Sequence, residues 1–105
     1  MCIRDRHKAD WCGTITKKFD DVVLHEIPPN GQGIAGLMAL GILDNTAIRD
    51  LDVDDPKALH LQIEAMKLAL SDTAAYVADI DYMDHIMPEA MMDPAYLQEL
   101  SLIHI

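Results

Sequence analysis

A chain of 105 residues is at most one small domain. Half of its residues are apolar, enough for a real core, but no run of 18 apolar residues exists to form a membrane-spanning helix. The formal net charge of −10 is spread along the chain, with Lys17-Lys18 the one basic pair away from the N-terminus, and this argues against a nucleic-acid partner.

Both ends look foreign. One coding of Met1-Cys2-Ile3-Arg4-Asp5-Arg6 is the reverse complement of one coding of Leu100-Ser101-Leu102-Ile103-His104-Ile105. That is the pattern of a transposon end used in sequencing-library preparation, met once in each direction. Residues 1–6 and 100–105 are therefore read as adapter scar and residues 7–99 as the natural segment. No signal peptide is read at the N-terminus, because no long apolar run follows Arg4, Arg6 and Lys8. Cys2 and Cys12 form no CxxC pair and have no histidine at zinc-ligand spacing, so neither a disulfide framework nor a zinc site is expected.

In chain order, residues 14–27 predict a β-hairpin. Thr14, Ile15 and Thr16 form one β-branched run and Val22, Val23 and Ile27 another, with Asp20 and Asp21 at the turn. Pro28-Pro29-Asn30-Gly31-Gln32-Gly33 ends the strand, since prolines remove backbone donors and Asn-Gly favours a tight turn. From Ile34 to Leu43 apolar residues surround nearly the whole helical circumference, which predicts a buried helix. Gly36 and Gly41 would weaken it by about 1 kcal/mol each relative to Ala, a cost that close packing against a neighbour would justify.

Residues 44–55 form an Asp-rich connection. Asp55-Pro56 then supplies an N-cap and a proline at the first helical position, and a helix is predicted to about Ala78. Leu59, Ile63, Met66, Leu70 and Val77 form its apolar stripe, widened by Leu61, Ala65 and Leu68. Lys57, His60, Glu64, Lys67 and Ser71 lie opposite. Asp93-Pro94 repeats the start signal before a short terminal helix. The fold class is α+β: a β-hairpin followed by a buried helix and a long amphipathic helix. Much of the apolar surface is expected to pack on protein that this chain does not carry.

Several candidates for chemistry give way to plainer readings. His60 and Glu64 have a metal-compatible spacing, but His-Glu-x-x-His is absent, which leaves a solvated face with a His–Glu contact. Asp79, Asp81, Asp84 and His85 cluster in sequence. A calcium loop starting at Asp79 needs Gly where Asp84 stands and Glu where Ala90 stands, so an acidic loop is the reading. The glycines of Pro28–Gly33 match neither phosphate-binding pattern and are read as permitting close backbone approach. Cys12, beside Trp11, has nothing electropositive next to it to activate the thiol. The seven methionines are read as core filler, with Met91-Met92 at a packing interface.

Two long runs nevertheless carry a resemblance. Glu26-Ile27-Pro28-Pro29-Asn30-Gly31-Gln32-Gly33-Ile34-Ala35 leads into Leu37-Met38-Ala39-Leu40 and Ile42-Leu43. Ala58-Leu59-His60-Leu61-Gln62-Ile63-Glu64-Ala65-Met66-Lys67-Leu68-Ala69 precedes Asp72 and Tyr76-Val77-Ala78-Asp79, with Asp81 beyond. Trp11 and the Thr14–Phe19 strand upstream, and Asp93-Pro94-Ala95-Tyr96-Leu97 downstream, fit the same pattern. Together they resemble the large-subunit region of the gamma-glutamyltransferase family over essentially all of residues 7–99.

That resemblance implies a fragment of an αββα N-terminal nucleophile hydrolase whose precursor cuts itself into a large and a small subunit. A new N-terminal Thr would attack the gamma-glutamyl carbonyl of substrates such as glutathione, and the acyl group would pass to water or to an acceptor amine. None of that machinery maps here. Thr14, Thr16, Thr46 and Thr73 lie in no Thr-Thr-His-like context, and Arg49 matches no motif. No catalytic, cofactor-binding or metal residue is assigned, and no cofactor is expected. The implied partners are the rest of the large subunit, the small subunit and a gamma-glutamyl substrate. The resemblance suggests a periplasmic or extracellular parent and leaves the cytoplasm open. Ile80, Gly41, Leu70 and Ser71 depart from common family residues and blur the subfamily, and Pro-Pro-Asn-Gly-Gln-Gly also occurs in relatives resembling oxamate amidohydrolases and acylases. The competing reading is a small self-contained helical interaction protein without catalysis.

Overall fold

The computed structural model describes residues 7–83 and 86–104. Its elements are strands β1 (Ile15–Phe19) and β2 (Val22–Glu26) and helices α1 (Gly33–Leu43), α2 (Pro56–Tyr76), α3 (Pro88–Met91) and α4 (Pro94–His104). Two 3₁₀ turns lie in the connections, at Ile48–Asp50 and Ile80–Tyr82.

The hairpin is antiparallel, pairing Ile15 with Glu26, Lys17 with Leu24 and Phe19 with Val22. Asp20 takes a positive φ of 57° at its tip, which an Asp tolerates better than a branched residue would. Alternation turns Ile15, Lys17, Phe19, Leu24 and Glu26 inward and leaves Thr16, Lys18, Val23 and His25 outside. At the tip, Arg49 lies 4.5 Å above the Phe19 ring and pairs with Asp44, tying the hairpin to the α1–α2 connection.

Helix α1 is the hub. Ile34, Leu37, Met38 and Ile42 are completely buried, as a helix apolar on all sides requires. It packs against α2, α4 and both strands. A Cβ on Gly41 would sit 2.3 Å from Leu97 Cδ1, so this glycine is where α4 lies against α1. A Cβ on Gly33 would sit 2.8 Å from Glu26 Cβ, and one on Gly31 2.7 Å from Ile27 Cδ1, which is the close approach expected of the turn. Gly36 does not follow this rule: a Cβ there meets nothing within 4 Å, and nothing in the structure explains it.

Helix α2 begins as its sequence indicates. The Asp55 side chain accepts from Lys57 N at 2.8 Å and Pro56 takes the first turn. Its inner face is the predicted one only in part: Leu61, Ala65, Leu68 and Val77 pack on the core as expected, but Leu59, Ile63, Met66 and Leu70 do not. Ala58, Ala65, Ala69 and Thr73 are the buried residues, flanked by the half-buried Leu61 and Leu68. Leu59, Ile63 and Leu70 are 58%, 49% and 48% exposed, and Met66 lies outward with them. The correction has a steric cause. Ala65 and Ala69 share the core cluster with Ile34, Ala35, Met38, Ala39 and Ile42 of α1, and small side chains let two helices approach closely. The large side chains are thereby turned away.

Helix α4 is longer than the predicted short helix. Asp93 Oδ1 accepts from Ala95 N at 3.0 Å, and the helix runs unbroken past residue 99, with Leu100 packed on the core and Ser101 Oγ donating to Gln98 O at 2.6 Å. Met38, Met83 and Met91 are buried and Met92 half-buried, as core filler would be, but Met66 and Met87 are exposed and Met1 lies outside the described residues.

Candidate functional site

Each residue type able to do chemistry can be placed. The Thr46 hydroxyl donates to Leu43 O at 2.7 Å and thereby closes the end of α1. Thr73 is buried and donates to Ala69 O at 2.7 Å within α2. Both hydroxyls serve backbone carbonyls. Thr14 Oγ1 lies 3.1 Å from His25 Nδ1, a hydroxyl–imidazole pair, but it is exposed on the hairpin and lines none of the clefts described below. An activated nucleophile needs a base, an orienting third group and shelter from water, and this pair has only the first.

Several of the other sequence candidates are engaged in local contacts. Glu64 binds Lys67 at 3.0 Å across a helical turn, while His60 faces solvent. Asp79 caps the 3₁₀ turn by accepting from Asp81 N at 3.2 Å, so this pair is engaged in local backbone structure. Asp84 and His85 lie outside the described residues, as does Cys2. Among the described residues no three His, Cys, Asp or Glu side chains gather as a metal site would need. Cys12 is exposed and free. Arg49 is held by Asp44, whose hydrogen bond raises its pKa above the ordinary arginine value, and its guanidinium is committed to Asp44 and Phe19. No described helix is long and apolar enough to cross a membrane.

Two of the clefts that border α2 differ in their lining. One, of about 430 Å³, lies between Asn30 and Gln32 of the turn and Leu70, Thr73, Ala74 and Val77 of the helix. The other, of about 240 Å³, is lined by Asp72, Tyr76, Ile86, Ala90, Met91 and Tyr96. At its edge the Tyr96 hydroxyl donates to Asp72 Oδ2 at 2.5 Å. Sequence reasoning missed this pair. Both residues stand in the family-like runs, but 24 positions apart, and no local pattern joins them.

Burial, and then the Asp72 carboxylate, push the Tyr96 phenol well above the ordinary tyrosine range. The folded state therefore holds this proton more tightly than the unfolded state. The resulting stability is fully present below the unfolded tyrosine pKa of about 10 and is lost as pH rises through the higher folded value. Helical signal followed through an alkaline titration is expected to decline above about pH 10 and to decline less steeply in Tyr96→Phe. Identical slopes would show that Tyr96 does not contribute.

Comparison with known proteins places this architecture. Residues 5–104 match the family profile described as gamma-glutamyltranspeptidase. Among curated proteins, the chain is 27% identical over 95 residues to the glutathione hydrolase-like YwrD proenzyme of Bacillus subtilis, covering 90% of this chain and 18% of that protein. It is 30% identical over 95 residues to the oxamate amidohydrolase proenzyme of Klebsiella pneumoniae, covering 90% of this chain and 17% of the relative. It is 29% identical over 99 residues to the glutathione hydrolase proenzyme of Pseudomonas aeruginosa, covering 91% and 16%. The crystal structure of Helicobacter pylori gamma-glutamyltranspeptidase superimposes with a TM-score of 0.85 at 18% identity, over 96% of this chain and 29% of that one. The chain thus spans less than a fifth of the curated relatives' length. Its hairpin and helices form a portion of the gamma-glutamyltranspeptidase fold. On the match over residues 5–104, the chain belongs to the gamma-glutamyltranspeptidase family.

Proposed function

We propose that this chain is a non-catalytic scaffold segment of an enzyme that hydrolyses or transfers the gamma-glutamyl group of glutathione and related amides. The reacting hydroxyl, an N-terminal Thr freed by cleavage of the precursor, belongs to another part of that enzyme, as do the groups that bind substrate. The partners of this segment are the remaining large subunit and the small subunit. The observation that carries the reading is the α2 face made by Leu59, Ile63, Met66 and Leu70, a stripe of large apolar side chains left open to solvent. Membership of a family whose curated relatives are proenzymes several times longer supports it. In the same reading residues 1–6 and 100–105 are adapter scar around a natural segment 7–99, which sequencing of the flanking DNA tests directly.

Release of p-nitroaniline from gamma-glutamyl-p-nitroanilide checks the assignment. The 105-residue chain is expected to give no turnover above buffer, and the full reading frame that contains it is expected to turn over. Turnover by the chain alone overturns the scaffold role. Oxamate serves as the second substrate, because one relative carries the name oxamate amidohydrolase. A full-length enzyme that acts on oxamate and not on the anilide would reassign the substrate and leave the scaffold role standing.

A further inference from the structure

We infer that Asp72 and Tyr96 form a register lock for α4, which selects one position of that helix on the α1–α2 pair. Two consecutive residues of α4 point at two different helices. Leu97 is completely buried against Gly41 of α1, and Tyr96 reaches Asp72 of α2. Residues next to each other on a helix project about 100° apart, so these contacts grip α4 from two directions.

The two contacts do different work. An apolar side chain in an apolar groove gains burial wherever it finds cover, so the packing of Leu97 by itself sets no sharp register. Apolar packing alone would therefore tolerate a slip of α4 by one turn, about 5.4 Å. The hydrogen bond would not. A slip in one direction brings Met92 or Asp93 opposite Asp72, and a slip in the other brings Glu99. Each alternative leaves the half-buried Asp72 carboxylate either facing an apolar side chain or facing a second carboxylate. A directional bond to a carboxylate discriminates between registers that burial treats as equal.

A double-mutant cycle on amide hydrogen exchange tests the lock in the intact parent protein. If the segment proves self-contained it folds alone, and the same cycle is run on the 105-residue chain, so failure of the scaffold reading does not remove the test. Asp72→Ala and Tyr96→Phe should each speed exchange across α4 by about ten- to a hundredfold. The double variant should be no faster than the more affected single variant, because both remove one interaction. Amides of α1 should change far less, and Tyr82→Phe, at an exposed tyrosine, should change nothing. By NMR of ring-labelled tyrosine, with the Tyr96 signal assigned from its loss in Tyr96→Phe, this phenol should ionise late, and Asp72→Asn should move it toward the ordinary range, a spectroscopic shift that a general loosening of packing does not predict. Additive effects on α4 exchange, or a phenol indifferent to Asp72→Asn, would overturn the inference.

Discussion

Replacing Ile63 with Glu and Leu70 with Lys is expected to have opposite consequences in the isolated chain and in the parent enzyme. In the chain alone these side chains are about half exposed. Polar substitution there costs within about 0.5 kcal/mol per site, the usual range for surface positions. It also removes apolar surface that would drive association, so the soluble fraction of the isolated chain should rise with its helical signal retained. In the parent the same face is covered on the scaffold reading. Each introduced charge would then be buried without a partner, at a cost of about 3–5 kcal/mol, enough to consume the whole stability of an ordinary domain when two are combined. Soluble yield and gamma-glutamyl turnover of the full-length variant should both collapse. A parent enzyme indifferent to both substitutions would mean that the face is open to water in the assembled protein as well.

Enlarging the small row on α2 should do the reverse. Ala65 is completely buried in the cluster that includes Ile34, Met38 and Ile42 of α1. Ala65→Leu inserts three carbons where the two helices lie closest, and overpacking of this kind costs about 1–3 kcal/mol, rising where the neighbours cannot yield. Leu has nearly the helix propensity of Ala, so the loss reports packing and not local preference. Protection of α1 amides against exchange is the measurement, because α1 sits beneath the enlarged side chain. Leu59→Ala, at a residue more than half exposed in this chain, serves as the contrast and should leave α1 protection nearly intact. Equal losses from the two substitutions would restore the stripe of large residues as the inner face.

This pair of substitutions marks where sequence reasoning succeeds and where it stops. The period of α2, its Asp55-Pro56 start and its apolar character follow from local rules that act over one or two turns. Which of two apolar faces goes inward does not, because both the alanine row and the leucine–isoleucine row repeat at helical spacing. Partner shape decides between them, and partner shape is a property of α1. The same division separates Gly41, where a neighbouring helix leaves no space for a side chain, from Gly36, where open space surrounds the backbone. The two glycines are equivalent in any local pattern.

The candidate site divides in the same way. That Thr46 and Thr73 serve backbone carbonyls is visible only once the helices exist, whereas the missing Thr-Thr-His context is plain in the string itself. Membership of the gamma-glutamyltranspeptidase family was legible in the order of two long runs and their flanks, since a run of residues records the neighbours it evolved against even when they are absent. The hairpin, the wholly apolar α1 and the start of α2 likewise follow from turn chemistry, hydrophobic period and capping along the chain. The inward alanine face, the Gly41–Leu97 approach and the Asp72–Tyr96 bond arise only when the helices pack. Each of these joins residues far apart in the chain, and such a contact depends on how whole helices settle against one another, which local preferences constrain but do not specify.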